Sequence, residues 1–148
     1  MALRNIRKFD DDILRKKSRI INEIDDRIIT LIKDMQETMY DAQGVGLAAP
    51  QVGVLKKIFV IDIYDGTGIK VFINPEILET SGEVIDIEGC LSLPGEQDEV
   101  KRPQKVKVKA TNINGEEFVL EADGLLARAV CHENDHLYGV LFKDYVEK

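Results

Sequence analysis

The two histidines of the chain, His132 and His136, are four positions apart with Glu133 between them. On an α-helix, side chains at positions i and i+4 lie on the same face, so both imidazoles can reach one metal ion. Glu133 is about 100° round the helix from His132, at the border of the same site. Two nitrogen ligands and a carboxylate that handles the proton of a water molecule are groups that metal-assisted hydrolysis needs.

The surrounding residues predict the helix that carries this motif. Asp123 is a candidate N-cap and Gly139 a candidate C-terminal stop. Two stripes of mainly apolar residues pass through the motif: Leu125, Ala129, His132 and His136 form one, and Leu126, Val130, Glu133 and Leu137 form the other. A histidine on an apolar face is often only a core residue. We expect a metal instead, because the chain offers no other histidine, the flanking helix signals agree and a third ligand is available elsewhere in the chain. Since both histidines continue one apolar stripe, the metal would lie half-buried against the core, where water is scarce.

A catalytic metal needs a third protein ligand, and the candidates are Cys90, Cys131, Glu88 and Asp135. Cys131 is about 100° from His132 and about 140° from His136 round the helix, and Asp135 is displaced in the other direction. Cys90 comes from a separate segment, residues 88–95, and is free to approach both imidazoles. One thiolate and two imidazoles leave a fourth position open for water. A closed structural site with both cysteines and both histidines is the alternative. Iron(II), zinc, nickel and cobalt all suit the catalytic set of ligands.

Composition bounds the remaining possibilities. The chain has 148 residues, of which 44% are hydrophobic and 32% are charged, and this predicts one globular domain over residues 1–148. A formal net charge of −7 argues against nucleic-acid binding. No apolar run reaches the length of a signal peptide or a membrane span, so we expect a cytoplasmic protein without membrane contact. In that compartment, cysteines serve more often as ligands or buried thiols than as disulfides.

Helices are predicted near the ends of the chain and strands in the middle. Residues 10–18 suggest a helical turn, and residues 25–43 an amphipathic helix. Strands are predicted at residues 58–63, 71–74, 83–87, 105–112 and 117–121, with breaks at residues 65–66, 74–75 and 81–82 and a hairpin turn at residues 114–115. The expected fold class is α+β: antiparallel sheets packed around the C-terminal helix that carries the histidines, with an amphipathic helix on the N-terminal side.

The segment at residues 44–53 is apolar and rich in glycine, and Pro50 interrupts it. Its glycine spacing loosely matches a dinucleotide-binding loop, but such a loop follows a strand and opens a helix, whereas here a helix precedes. We interpret it as a tight segment that a backbone or a ligand can approach closely. Gln51 is its one side chain that can both donate and accept a hydrogen bond.

Three segments together, residues 44–51, 88–92 and 132–136 with Leu137 and Gly139, resemble the signature motifs of the peptide deformylase family, in the same order. The resemblance extends over nearly the whole chain and includes residues 121–126, Val100 and Arg102. It implies hydrolysis of the formyl group from N-formylmethionyl nascent peptides, with release of formate and with iron(II) as the usual metal. The nascent peptide and, transiently, the ribosome are the implied partners. Cys131 departs from the glutamine that the family usually has there.

The resemblance also assigns roles to residues. Cys90, His132 and His136 would be the metal ligands and Glu133 the acid/base residue, while the Gln51 side chain and the Leu91 N–H would stabilise the oxyanion. We further hypothesise that Val45, Leu125 and Ala129 line a pocket for the methionine side chain. The peptide would lie as an added strand along Gly46 and Gly89.

Two other functions compete with this interpretation. A metallopeptidase also places two histidines around a glutamate, but it would leave Gln51 and Cys90 without a role. A metal-stabilised peptide-binding module without turnover would need neither Glu133 nor Gln51. Formate release from a formylated peptide separates these possibilities.

Overall fold

A computed structural model describes residues 2–145 of the chain. It contains two α-helices and seven strands, in the order α1 (Asp26–Asp41), β1 (Gly46–Ala48), β2 (Ile58–Ile61), β3 (Lys70–Ser81), β4 (Val84–Cys90), β5 (Leu93–Arg102), β6 (Lys105–Thr111), β7 (Glu117–Asp123) and α2 (Leu125–His136). Short 3-10 helices occur at Asp12–Arg15, Ala49–Val52 and Phe142–Tyr145. Within residues 2–145, no helix has the length and apolar character needed to cross a membrane.

The strands form two antiparallel sheets. Five of them pair in the order β1-β2-β3-β6-β7, and β4 and β5 form a separate two-stranded sheet. The predicted α+β class with antiparallel sheets is confirmed, as is the amphipathic helix α1, whose N-cap Asp25 accepts a hydrogen bond from the Ile28 N–H at 3.1 Å.

Strand β2 lies between the two helices, which explains its continuous apolar sequence. Phe59 and Ile61 belong to the hydrophobic cluster that contains residues of α2, whereas Ile58 and Val60 belong to the cluster that contains residues of α1. Because successive side chains of a strand point to opposite faces, a strand covered on both sides must be apolar at every position. The sheet therefore presents one face to α2 and the site, and the other face to α1.

The predicted break at Asn74-Pro75 is wrong, because β3 continues through it. The pairing register between β3 and β6 shifts between Ile73 and Glu76, and Asn74 has a φ of 50°. Such a bulge accommodates a proline that cannot donate to the ladder. The Asn74 side chain accepts from the Ile21 N–H and donates to the Ile21 carbonyl, both at 2.8 Å, and this holds the irregular backbone.

The start of α2 also differs from the prediction. Asp123 is the last residue of β7 and not the N-cap; Gly124 occupies that position, with a φ of 62° and its carbonyl accepting from the Arg128 N–H at 3.0 Å. A side chain at position 124 would be strained at this φ, so glycine allows the strand to turn directly into the helix. At the other end, α2 ends at His136, and Gly139, with a φ of 76°, closes the following turn as expected.

Candidate metal and catalytic site

The predicted ligands Cys90, His132 and His136 converge at the end of β4 and on the inner face of α2. One donor atom of each lies within 4.8 Å of the other two, and Cys90 Sγ is 3.4 Å from His136 Nε2. Both imidazoles are buried, at 6% and 1% exposure, and Cys90 is partly buried. Within residues 2–145, these are the residues that form a possible metal-binding group.

The other candidate ligands point elsewhere. Cys131 belongs to the hydrophobic cluster with Phe59 and Val130, and burial raises the pKa of its thiol to about 11. Asp135 accepts from Arg102 at 2.6 Å and from the Tyr145 hydroxyl at 2.9 Å. The geometry therefore favours the open set of three ligands over the closed set with two cysteines.

Glu88 contacts His132 and does not belong to the possible metal-binding group. Its Oε2 accepts a hydrogen bond from His132 Nδ1 at 2.6 Å, and Arg102 binds both of its oxygens, at 3.1 and 2.7 Å. Burial opposes the charge of Glu88, but the hydrogen bonds from His132 and Arg102 outweigh it and lower the pKa of the carboxyl to about 2. An ionised Glu88 fixes the proton on Nδ1 of His132 and so leaves Nε2 free as a ligand.

Arg128 is a residue of this network that the sequence analysis missed. It is buried on α2 and donates to Glu88 Oε1 at 3.0 Å, to the Val100 carbonyl at 2.9 Å and to the Val84 carbonyl at 2.8 Å. It thus connects α2 to both strands of the β4-β5 sheet. Its position could have indicated this role: Arg128 is one helical turn before His132, and a charged side chain on the buried face of a helix requires a partner.

The charge distribution suits a cation. Burial lowers the pKa of His132, but the neighbouring Cys90 and Glu88 more than compensate and raise it to about 10. Burial is the largest cause that holds the pKa of His136 well below its usual value, so that imidazole is neutral and able to coordinate. A cation bound at this point would replace the proton that the negative surroundings attract to His132.

We expect Glu88→Gln to weaken metal binding about 10- to 100-fold, because the partner of a histidine ligand sets its tautomer and basicity. Leaving Arg102 and Arg128 partly unpaired should also lower the free energy of unfolding, by about 3 kcal/mol. Metal affinity is measured by competition with a chelator, and unfolding with urea. Glu83→Gln is the matched control, because Glu83 is exposed and precedes the same strand, with only a 3.8 Å contact to Lys101. Equal metal affinity in the two variants would contradict the role of Glu88.

Glu133 is buried against the backbone of β1. A Cβ built at Gly46 would be 2.6 Å from Glu133 Oε2, so only glycine lets the carboxylate lie there. Among the described residues, Glu133 Oε1 has no hydrogen-bond partner, and burial raises the pKa of the carboxyl to about 7. A buried carboxyl with a pKa near neutrality and an unused oxygen is suited to accept and return a proton.

A cavity of about 670 Å³ opens beside these groups. Its walls include Cys90, His132, Glu133, Gln51 and Leu91, together with all five residues predicted to bind substrate: Val45, Gly46, Gly89, Leu125 and Ala129. Gln51 is 1% exposed and Ala129 is 8% exposed. Leu125, at the first position of α2, is 54% exposed although it belongs to an apolar stripe.

Two strand edges border this cavity. In the described part of the chain, β1 is the terminal strand of the five-stranded sheet, and β4 pairs only with β5. Gly46 lies on the first edge and Gly89 on the second. Each edge offers backbone groups to an extended peptide.

Comparisons with known proteins agree with this geometry. Residues 3–148 match the family model described as polypeptide deformylase. The chain is 63% identical over 145 residues to peptide deformylase 1 of Clostridium perfringens. This alignment covers 98% of this chain and 99% of that protein. The crystal structure of a peptide deformylase from Legionella pneumophila superposes with a TM-score of 0.95 at 46% identity, covering 98% of this chain and 86% of that one. The crystal structure of peptide deformylase from Thermotoga maritima superposes with a TM-score of 0.94 at 43% identity, covering 99% of each chain.

Proposed function

Since the chain belongs to the peptide deformylase family, we propose that it is a metal-dependent hydrolase that removes the formyl group from N-formylmethionyl nascent peptides and releases formate. The observation that carries the proposal is the convergence of three metal-type donors with the buried carboxylate of Glu133 in the wall of one cavity. We expect it to act in the cytoplasm, on nascent chains that it meets through transient contact with the ribosome.

Cys90, His132 and His136 would hold one divalent ion per chain, with iron(II) as the expected native metal and zinc, nickel or cobalt as substitutes. When bound, such an ion polarises the formyl carbonyl and lowers the pKa of water toward neutrality. Three protein ligands would leave the open position that is typical of catalytic metal sites.

The residues of the chain supply the remaining chemistry. Glu133 takes the proton of the attacking water and then passes it to the amine that leaves, so one carboxylate serves both proton transfers. Gln51 Nε2 and the Leu91 N–H donate to the oxygen of the former carbonyl as it becomes negative. The hydrogen bonds of the Gln51 amide support this role, because its Oε1 accepts from the Ala48 N–H at 2.9 Å and its Nε2 donates toward Cys90 Sγ at 3.5 Å in the cavity wall.

The peptide would lie between the edges of β1 and β4, with backbone hydrogen bonds at Gly46 and Gly89. Val45, Leu125 and Ala129 would surround the methionine side chain. This placement would bring the formyl carbon next to Glu133 and Gln51, which line the same cavity.

The deciding experiment measures formate released from formyl-Met-Ala-Ser by protein purified without oxygen, with metal content determined on the same sample. We expect formate in proportion to bound metal. Cleavage of the unformylated peptide with no formate would indicate a metallopeptidase. Full metal occupancy without any product would indicate a peptide-binding module.

Gln51→Ala should lower kcat about 100- to 1,000-fold, because it removes a donor to the developing oxyanion. Metal content should stay at the wild-type level, since Gln51 is not a ligand. Steady-state formate assays and metal analysis of the same preparation check both points. Near-full activity in this variant would remove Gln51 from the mechanism.

Ala129→Leu should raise KM for the formyl-Met peptide at least about tenfold, because the larger side chain occupies space intended for methionine. The matched control is a formyl-Ala peptide. Because its side chain is small, its KM should rise much less in the variant. An equal change for both peptides, or no change, would contradict the placement of the methionine pocket at Ala129.

A further inference from the structure

The side-chain amide of Gln51 is held by three different groups. Its Oε1 accepts from the Ala48 N–H at 2.9 Å, and its Nε2 approaches Ser92 Oγ at 3.1 Å and Cys90 Sγ at 3.5 Å. The contact with Ser92 is the shorter of the two made by Nε2. One amide hydrogen is therefore committed to Ser92, and the other faces the ligand Cys90 and the cavity.

Ser92 is itself firmly placed. It is fully buried, and its carbonyl accepts from the Phe9 N–H at 3.0 Å. Two residues earlier in the same N-terminal segment, the Arg7 N–H donates to the Gln51 carbonyl at 2.7 Å. Two N–H groups of one N-terminal segment, those of Arg7 and Phe9, thus hold the backbones of Gln51 and Ser92 close together, although these residues are 41 positions apart.

We propose that Ser92 is a positioning residue that fixes the Gln51 amide with one N–H directed at the oxyanion. This inference rests on the proposed function, because the oxyanion forms only in the proposed hydrolysis. Without the Ser92 hydroxyl, the Ala48 N–H would still hold Oε1, but the one contact left to Nε2 among the described residues would be that with Cys90 Sγ, at 3.5 Å. The amide would then turn about its last torsion, which has only a broad preference, and the donor would spend less time aligned.

Kinetics of a double-mutant cycle test the proposal. Ser92→Ala should lower kcat for formate release about tenfold, the value of one well-placed hydrogen bond, with KM and metal content unchanged. In the Gln51→Ala background, the same substitution should change kcat less than twofold, because the group that Ser92 positions is gone. A tenfold loss in both backgrounds would show a general structural effect and overturn the proposal.

Ser18→Ala is the matched control. Ser18 is also buried, at 8% exposure, and its Oγ has no hydrogen-bond partner among the described residues. This variant should retain wild-type kcat in both backgrounds. A loss equal to that of Ser92→Ala would mean that removal of any buried hydroxyl slows the enzyme, and the role of Ser92 would be rejected.

A second measurement does not depend on turnover. In zinc-loaded, nitrogen-15-labelled protein, the two side-chain amide protons of Gln51 should give separate, slowly exchanging resonances. In Ser92→Ala they should shift and exchange faster with solvent, and in Ser18→Ala they should not. Unchanged resonances in Ser92→Ala would overturn the positioning role, whereas absence of formate release from the wild-type protein would count against the proposed function alone.

Discussion

Replacement of Glu133 by glutamine is expected to lower kcat/KM for formate release by about 1,000- to 10,000-fold while the protein keeps its metal. General acid–base catalysis contributes up to about this factor, and here one group must serve both proton transfers. Glutamine has nearly the same size as glutamate, so it fits against Gly46, but its amide cannot accept the proton of water. Among the described residues, Glu133 Oε1 has no partner, so the substitution breaks no hydrogen bond of that oxygen.

Formate release, metal content and the thermal unfolding midpoint are measured on the same preparation. Glu121→Gln, on the exposed surface of β7, is the control for loss of one carboxylate and should behave as wild type. If Glu133→Gln retained a tenth of the activity with metal bound, another group would have to transfer the proton. If it lost its metal, Glu133 would instead be a ligand.

The part of the candidate ligand set that lies on α2 could be predicted from the sequence, because helix geometry is local. The spacing of His132 and His136 fixes their common face, and the same geometry turns Cys131 and Asp135 away from it. The structure places Cys131 in the hydrophobic cluster and Asp135 on Arg102, as that reasoning required.

The contacts that surround the candidate ligands could not be predicted in the same way. Glu88, Arg102 and Arg128 meet only because the β4-β5 sheet folds over α2, and their hydrogen bonds join residues 14 to 44 positions apart. The periodic spacing of apolar residues in a sequence does not predict contacts between residues so far apart. The sequence indicated at most that these charged residues need partners where they are buried.

Strand β5 was missed for a related reason. Leu93–Arg102 contains Pro94 and Gly95 and several charged residues, and only three of its ten side chains are buried. Apolar and polar residues do not alternate in this segment. It is a strand because it pairs with β4, and the sequence of the segment does not reveal such a tertiary contact. The helix start at Gly124 illustrates another limit: a glycine with positive φ can replace a side-chain cap, and the sequence alone does not distinguish the two.

Cys90→Ala should abolish formate release by removing the metal. Two imidazoles remain in this variant, but a partner of a ligand already contributes about 10- to 100-fold to metal affinity, so loss of a ligand should cost more than about 100-fold. The fold should persist, because Cys90 only borders the cluster of Leu93, Val100 and Phe142. The metal-to-protein ratio after anaerobic desalting measures the loss directly, and formate release on the same sample shows its consequence.

Cys131→Ala is the matched control, since it removes the other cysteine and leaves the converging donors intact. Its thiol lies in the hydrophobic cluster behind the histidines, so the variant should bind one metal ion per chain and release formate at a rate close to wild type. The two substitutions together distinguish an open metal site with three ligands from a closed one with four. Metal loss in Cys90→Ala alone supports three ligands with an open position, the arrangement that hydrolysis requires. Metal loss in both would establish a closed site of two cysteines and two histidines, and catalysis would then need a different centre.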